Sequence, residues 1–254
     1  MVEGWAELAL LFAVGTVAGT LNVIAGGGSL LALPVMIFLG LSPTIANGTN
    51  RVAILTQNIG AVWRFHRHSM IDWKWLGLAA APAVVGAALG TWAAVEIDDA
   101  AFRRVLAAIM VAAALWTLWD PLRRKPVGDS LQAAGTQRGR WALGVAFFGI
   151  GIYGGFVQAG IGFLILAVIT MAGMDLVRGN ALKVLLVLAY TPIALALFAI
   201  SGKVDWGMGL ALGAGNFLGA MVGVRLTVLK GHAWIKRAVT VTVIAFAIRL
   251  WFWD

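Results

Sequence analysis

The chain has 254 residues, 61% of them hydrophobic and only 12% charged, with a formal net charge of +8 and a mean hydropathy of +0.91. A soluble domain holds about 45–50% apolar and about 25% charged residues, so this composition excludes a soluble enzyme or binding module and leaves a polytopic, all-α membrane protein. The basic excess falls at the ends of apolar runs, as cytoplasmic loops require, so it does not signal a nucleic-acid partner. With no cysteine there is no disulfide framework, thiolate chemistry or Cys-ligated metal. The start carries Glu3 and Glu7 rather than a basic region, so no removable signal is expected.

Apolar runs fall at about 8–25, 29–40, 44–63, 74–95 and 101–119, and again at about 141–158, 161–173, 179–200, 206–228 and 233–252. Most reach the ~20 residues that a spanning helix needs. The runs at 29–40 and 161–173 are too short for an upright crossing and are expected to be broken or re-entrant.

The two sets are related by one constant shift along the chain. It carries Gly40 onto Gly173, Asn47 onto Asn180, Asp72-Trp73 onto Asp205-Trp206, and Gly86 and Gly90 onto Gly219 and Gly223. Near the start the offset grows by three, so that Gly15, Gly19 and Asn22 match Gly151, Gly155 and Gln158. The expected domains are a first transmembrane repeat at 1–120, a basic cytoplasmic linker at 121–140 and a second repeat at 141–254. Loop charges agree if each repeat crosses an odd number of times. The Arg64–Lys74 loop, Arg178 and the Lys230–Arg237 loop then lie inside. Glu96–Asp99, Lys203–Asp205 and both termini lie outside. The repeats would be inverted copies, as in many secondary transporters.

One stretch, Asn22 to Asn58, breaks the pattern of an uninterrupted span. Gly26, Gly27 and Gly28 run together, Pro34 interrupts an apolar run, and Asn47, Asn50, Arg51, Gln57 and Asn58 follow. In lipid, irregular backbone is tolerated only where protein buries it or where it lines a cavity, and polar residues at that depth are usually functional. Helices beginning at Ser29 and at Phe163 would aim free N–H groups at the breaks, an anion-binding arrangement. The second break contributes Gln158, Gly160 and Gly162, and its following helix Asn180, Lys183 and Tyr190. Helical spacing puts Asn47, Asn50 or Arg51, and Asn58 on roughly one face. One Arg, one Lys and several amides suit a small anion and suit a cation badly, because no Asp or Glu lies in these segments.

Other signals have plainer readings. The GxxxG pairs at Gly86/Gly90 and Gly219/Gly223 read as helix packing. His66 and His68 sit in a basic surface loop with no carboxylate beyond Asp72, so no metal site is assigned. Asp72-Trp73 and Asp205-Trp206 read as helix caps with interfacial aromatic anchors. Arg225 lies inside an apolar run and either approaches the path or reaches the cytoplasmic face. Ser29 invites a nucleophile reading, but no histidine lies at its depth to serve as base, so no catalytic residue or cofactor is assigned.

The segments GTVAGTLNVIAGGGSLLALPVMIFLGLSPTIANGTNR (15–51) and GIYGGFVQAGIGFLILAVITMAGMDLVRGNALK (151–183) resemble the sulfite exporter TauE/SafE family of membrane transporters. Gly15, Gly19, Gly26, Gly27, Gly28, Pro34, Ala46, Asn47 and Thr49 carry the resemblance. It implies a multi-pass protein of the cytoplasmic (inner) membrane that exports sulfite, a related anion or an organosulfonate. Its expected partners are that small anionic solute, the lipid bilayer and a coupling ion, with a homodimer compatible. Two departures stand out: Asn22, where a small residue is common, and Ile161 in the place of Gly28. The readings set against it are an intramembrane enzyme and a cation permease.

Overall fold

A computed structural model describes residues 4–119, 136–174 and 176–230. Among them the chain is helical: α1 (Trp5–Ala25), α2 (Ser29–Phe38), α3 (Pro43–Arg67), α4 (Trp73–Glu96), α5 (Asp99–Trp119), α6 (Gln137–Phe156), α7 (Ile161–Met171), α8 (Leu176–Ile200) and α9 (Trp206–Lys230). The apolar run at 233–252 lies outside the described residues, as does most of the expected linker. Arg138 and Arg140 already stand in the first turn of α6, so that helix starts before the basic stretch ends.

The caps follow from the residues at each boundary. Ser42 accepts the Ile45 amide and Pro43 opens α3, where its missing N–H costs nothing. Asp72 accepts from the Lys74 amide and Asp205 from the Met208 amide. Trp73 and Trp206, just inside, are about half exposed, as interfacial anchors should be. Gly40 and Gly173 close α2 and α7 with positive φ of 98° and 87°. In both turns the next residue reaches back to the last helical turn, Leu41 to Met36 and Met174 to Ile169. The short α2 and α7 thus end in the same way in the two halves of the chain.

Helices α1, α4, α8 and α9 are long and apolar enough to cross a membrane. At 10 and 11 residues, α2 and α7 extend only ~15 Å. Helix α3 carries the polar run and is buried along most of its length.

Packing pairs helices from the two halves of the chain. Helix α1 lies against α9, and its counterpart α6 lies against α4. Gly215, Gly219 and Gly223 meet Phe12, Thr16 and Thr20 in turn. Gly86 and Gly90 meet Phe148 and Ile152, while Gly151 and Gly155 meet Ala83 and Ala87. Contacts that advance together along both chains make each pair run in the same direction. Both GxxxG pairs are therefore helix packing, the close approach that small residues permit.

Glycines in one helix differ sharply in what surrounds them. A methyl at Gly90 would fall far inside contact distance of the Ile152 carbonyl, whereas one at Gly77 meets nothing within 4 Å. Gly77→Ala should stabilise the protein by about 0.5–1 kcal/mol through helix propensity. Gly90→Ala should lower its melting temperature by several degrees. A detergent thermal melt of the two variants checks the contrast.

Candidate functional site

The two breaks meet. Gly26 ends α1 with φ +86°, and its backbone lies directly against that of Gly162, leaving no room for a side chain on either. Gly28 is pressed against the Ala18 carbonyl and Asn22, and Gly27 is buried between them. Two of the three adjacent glycines therefore serve close backbone packing, not an open approach. In the second break Gln158 and Gly160 carry the positive φ values, 62° and 72°. Helix α7 starts at Ile161 rather than at Phe163. A methyl at Gly160 would meet only side chains, at 3.7 Å and beyond.

Each broken helix ends on carbonyls that the other repeat caps. At the end of α6, Arg51 Nη1 donates to the Gly154 carbonyl at 2.6 Å and to Gln158 Oε1, and Nη2 donates to the Gly155 carbonyl at 2.7 Å. Asn47 Nδ2 donates to the Phe156 carbonyl at 2.7 Å, and Thr91 adds a bond to Gly155 at 3.0 Å. At the end of α1, Lys183 Nζ donates to the Asn22 and Val23 carbonyls at 2.9 and 2.8 Å. Asn180 Oδ1 accepts a third bond from that amine at 2.7 Å, and its amide donates to the Ile24 carbonyl at 3.3 Å. The paired residues Asn47 and Asn180 thus do the same work at opposite breaks.

The sequence reading gathers the two cations and two helix N-termini around a solute. The structure puts the cations at C-termini, where a helix dipole carries about half an elementary negative charge. The physical reason is that the last carbonyls of a helix buried at membrane depth have no water to accept from. A guanidinium or ammonium supplies several donors at once.

The polar run on α3 divides between two faces. Asn47 and Arg51 turn toward α6, with the Arg51 guanidinium 5.5 Å from the Phe198 ring centroid. Asn50 and Gln57 turn toward α2, α1 and α9. Asn50 donates to Ser29 Oγ at 3.0 Å. Gln57 Oε1 accepts from Asn22 at 3.1 Å and from Asn216 at 3.4 Å. Asn58 donates to Ile54 in its own helix. The Asn22–Gln57 pair has a counterpart in Gln158 and Tyr190, whose hydroxyl donates to Gln158 Oε1 at 3.2 Å. Ser29 is thus engaged by an amide, not by a base.

Asn50, Arg51, Gln57, Gln158, Asn180, Lys183 and Tyr190 are each at most 3% exposed. Among the described residues no carboxylate is buried with them. Arg51 Nε and the Asn50 and Asn216 side-chain oxygens have no partner among the described residues. Arg51 and Lys183 thus each face the carbonyls of a helix C-terminus, with no buried carboxylate beside them among the described residues. Arg225 is exposed on α9, away from this cluster. His66 and His68 are exposed, and His66 meets Trp73 edge-on.

Sequence reasoning missed Asn216, Thr91 and Phe198. Asn216 is the one amide in the long apolar run 206–228, a signal of the same kind as Asn47. Thr91 and Phe198 carry no comparable mark.

A family model described as sulfite exporter TauE/SafE matches residues 11–250. A "Probable membrane transporter protein" of Haemophilus influenzae is 30% identical over 235 residues, covering 92% of this chain and 90% of the relative. "Probable membrane transporter protein ORF9" of a Sinorhizobium species is 31% identical over 244 residues, 96% of this chain and 92% of its own length. "Probable membrane transporter protein YfcA" of Escherichia coli K12 is 30% identical over 238 residues, 92% and 86% of the two chains. No solved structure gives a significant match.

Proposed function

Because the chain belongs to the sulfite exporter TauE/SafE family and is a membrane transporter, we propose that it is a secondary transporter that exports a small oxyanion or organosulfonate across the cytoplasmic membrane. The observation that carries the reading is the pair of buried cations at the meeting point of the two breaks, with no buried carboxylate beside them among the described residues. Each cation is only half offset by the helix end it caps. At low dielectric the remaining potential attracts an anion and repels a cation. The unpartnered Arg51 Nε–H is the donor that would replace the solute's water, while the unpartnered oxygens of Asn50 and Asn216 can only accept, from a hydroxyl or protonated oxygen of the solute.

Alternating access follows from the repeat. Helices α1 and α9 run the same way, as do α4 and α6, and Gly209 and Gly213 of α9 meet Val52 and Thr56 of α3 in the same sense. A short turn joins α3 to α4, and the chain reverses there. These directions support inverted copies rocking about the Gly26–Gly162 contact, the scheme common among secondary transporters. A solute or ion gradient would drive it, since no nucleotide-binding motif occurs in the sequence.

A thermal-shift screen tests the solute class, because a ligand bound only by the folded state raises the melting temperature. Sulfite, sulfate, thiosulfate or a small sulfonate should stabilise the purified protein at millimolar concentration, and their sodium or potassium counter-ions as chlorides should not. Stabilisation by cations alone would overturn the reading.

A further inference from the structure

The two repeats place an aromatic ring in matching positions. Phe198 packs on Gly48 and lies over Arg51. Its counterpart in the first repeat, Phe65, packs in a cluster with Ala181 and Val184, the counterparts of Gly48 and Arg51. Each ring ends its helix in the same way. Lys203 N donates to the Phe198 carbonyl at 2.9 Å, and Met70 N to the Phe65 carbonyl at 3.1 Å.

Beyond the rings the two ends of the molecule differ. At the Lys203 end, Lys203 Nζ donates to the Val95 carbonyl at 2.6 Å, capping the last turn of α4. The Lys203 carbonyl lies against Gly48. The Asp205 amide donates to Thr49 Oγ1 at 2.9 Å. Thr44 donates to Asp99 from its hydroxyl at 2.7 Å and from its backbone at 3.0 Å, tying α3 to α5. Burial pushes the Asp99 carboxyl up, but these bonds, a further one from Ser42 and the nearby Lys203 charge outweigh it and hold the group below its ordinary range. At the Asp72 end the corresponding residues are Val177 for Thr44, Leu182 for Thr49 and Met70 for Lys203, none of which can make these side-chain bonds. There the surface opens instead into a cleft of about 370 Å³ lined by Ser69–Lys74 and Arg178.

We propose that residues 198–205 are a gate over the Arg51 half of the site, with Phe198 as its plug and Lys203 with Thr49 as its polar latch. This rests on the transporter reading above and adds which entrance is held shut. The latch crosses from the α8–α9 turn to α3 and to the end of α4, so releasing it frees the end of α8, where Phe198 stands. Lifting Phe198 uncovers the guanidinium from that side.

The natural absence of cysteine allows a test that needs no solute. Val52→Cys places a thiol one turn beneath the latch, where Val52 is buried against Gly209, and Ser69→Cys places one in the cleft. Both are reacted with a membrane-impermeant maleimide in vesicles of each orientation. In the otherwise native chain Ser69→Cys should label much faster. Adding Lys203→Met, the matching residue of the first half, should speed labelling of Val52→Cys about tenfold, since a charged hydrogen bond is worth about that much or more, and Phe198→Ala should speed it as well. The same changes should leave Ser69→Cys unaltered. Unchanged labelling of Val52→Cys, or equal acceleration at both sites, would overturn the gate. Neither result depends on which anion is carried, so failure here is separable from failure of the solute assignment.

Discussion

Replacing Arg51 by alanine is expected to abolish transport and to lower stability by about 3–5 kcal/mol, the range for removing one member of a buried charged network. The side chain is fully buried and supplies the donors for two terminal carbonyls of α6 and for Gln158. Losing it strands those acceptors where no water reaches, at about 1–3 kcal/mol each. Arg51→Lys is the sharper variant. It keeps the charge but offers a point donor in place of a fork, so it cannot span Gly154, Gly155 and Gln158 together. Proteoliposomes carrying Arg51→Lys should retain measurable anion flux, reduced tenfold or more, with a smaller loss in melting temperature than Arg51→Ala. Flux equal to the native protein in both variants would remove Arg51 from the site.

The second large effect is expected at the contact between the breaks. Gly162→Ala introduces a methyl into the backbone of Gly26, and Gly26→Ala does the reverse at a residue that also needs positive φ. Neither neighbour is a side chain that can swing away, so helices α1 and α7 must separate. Overpacking usually costs about 1–3 kcal/mol; with backbone on both sides the upper end is expected. Gly149→Ala, in α6 with nothing within 4 Å, is the control and should be neutral or slightly stabilising. Size-exclusion profiles and melts in detergent compare the three. A monodisperse Gly162→Ala protein with a native melting temperature would show that the breaks do not touch.

Much of this arrangement is legible in the residues. Gly26 to Gly28 and Gln158 to Gly162 mark the breaks because apolar runs stop there without a polar loop. Asp72 and Asp205 mark helix starts because each precedes an interfacial Trp and caps the following turn. What cannot be read is which neighbour each helix chooses. Gly15, Gly19, Gly86 and Gly90 announce close packing, but a small residue says nothing about whose backbone fills the space. The role of Arg51 and Lys183 is also open in the sequence, since a cation one or two turns into a helix can serve a solute, a headgroup or a carbonyl. Only the meeting of α1 with α8 and of α6 with α3 decides that they cap carbonyls. Asn50 and Arg51 are adjacent in sequence and part company in space, because one step of helical rotation sends the first to Ser29 and the second to Gly154.

The pairing of helices from the two halves of the chain bears on how the protein is made. The surface of α1 that fits α9 is complete once Ala25 has left the ribosome, yet its mate begins only at Trp206. During synthesis that glycine-lined stripe must wait in the bilayer against lipid or an insertase. The second pairing, α4 with α6, can form much earlier. Assembly therefore closes from the middle of the polypeptide outward, and a truncated product lacking its last fifth would leave the opening segment without a partner.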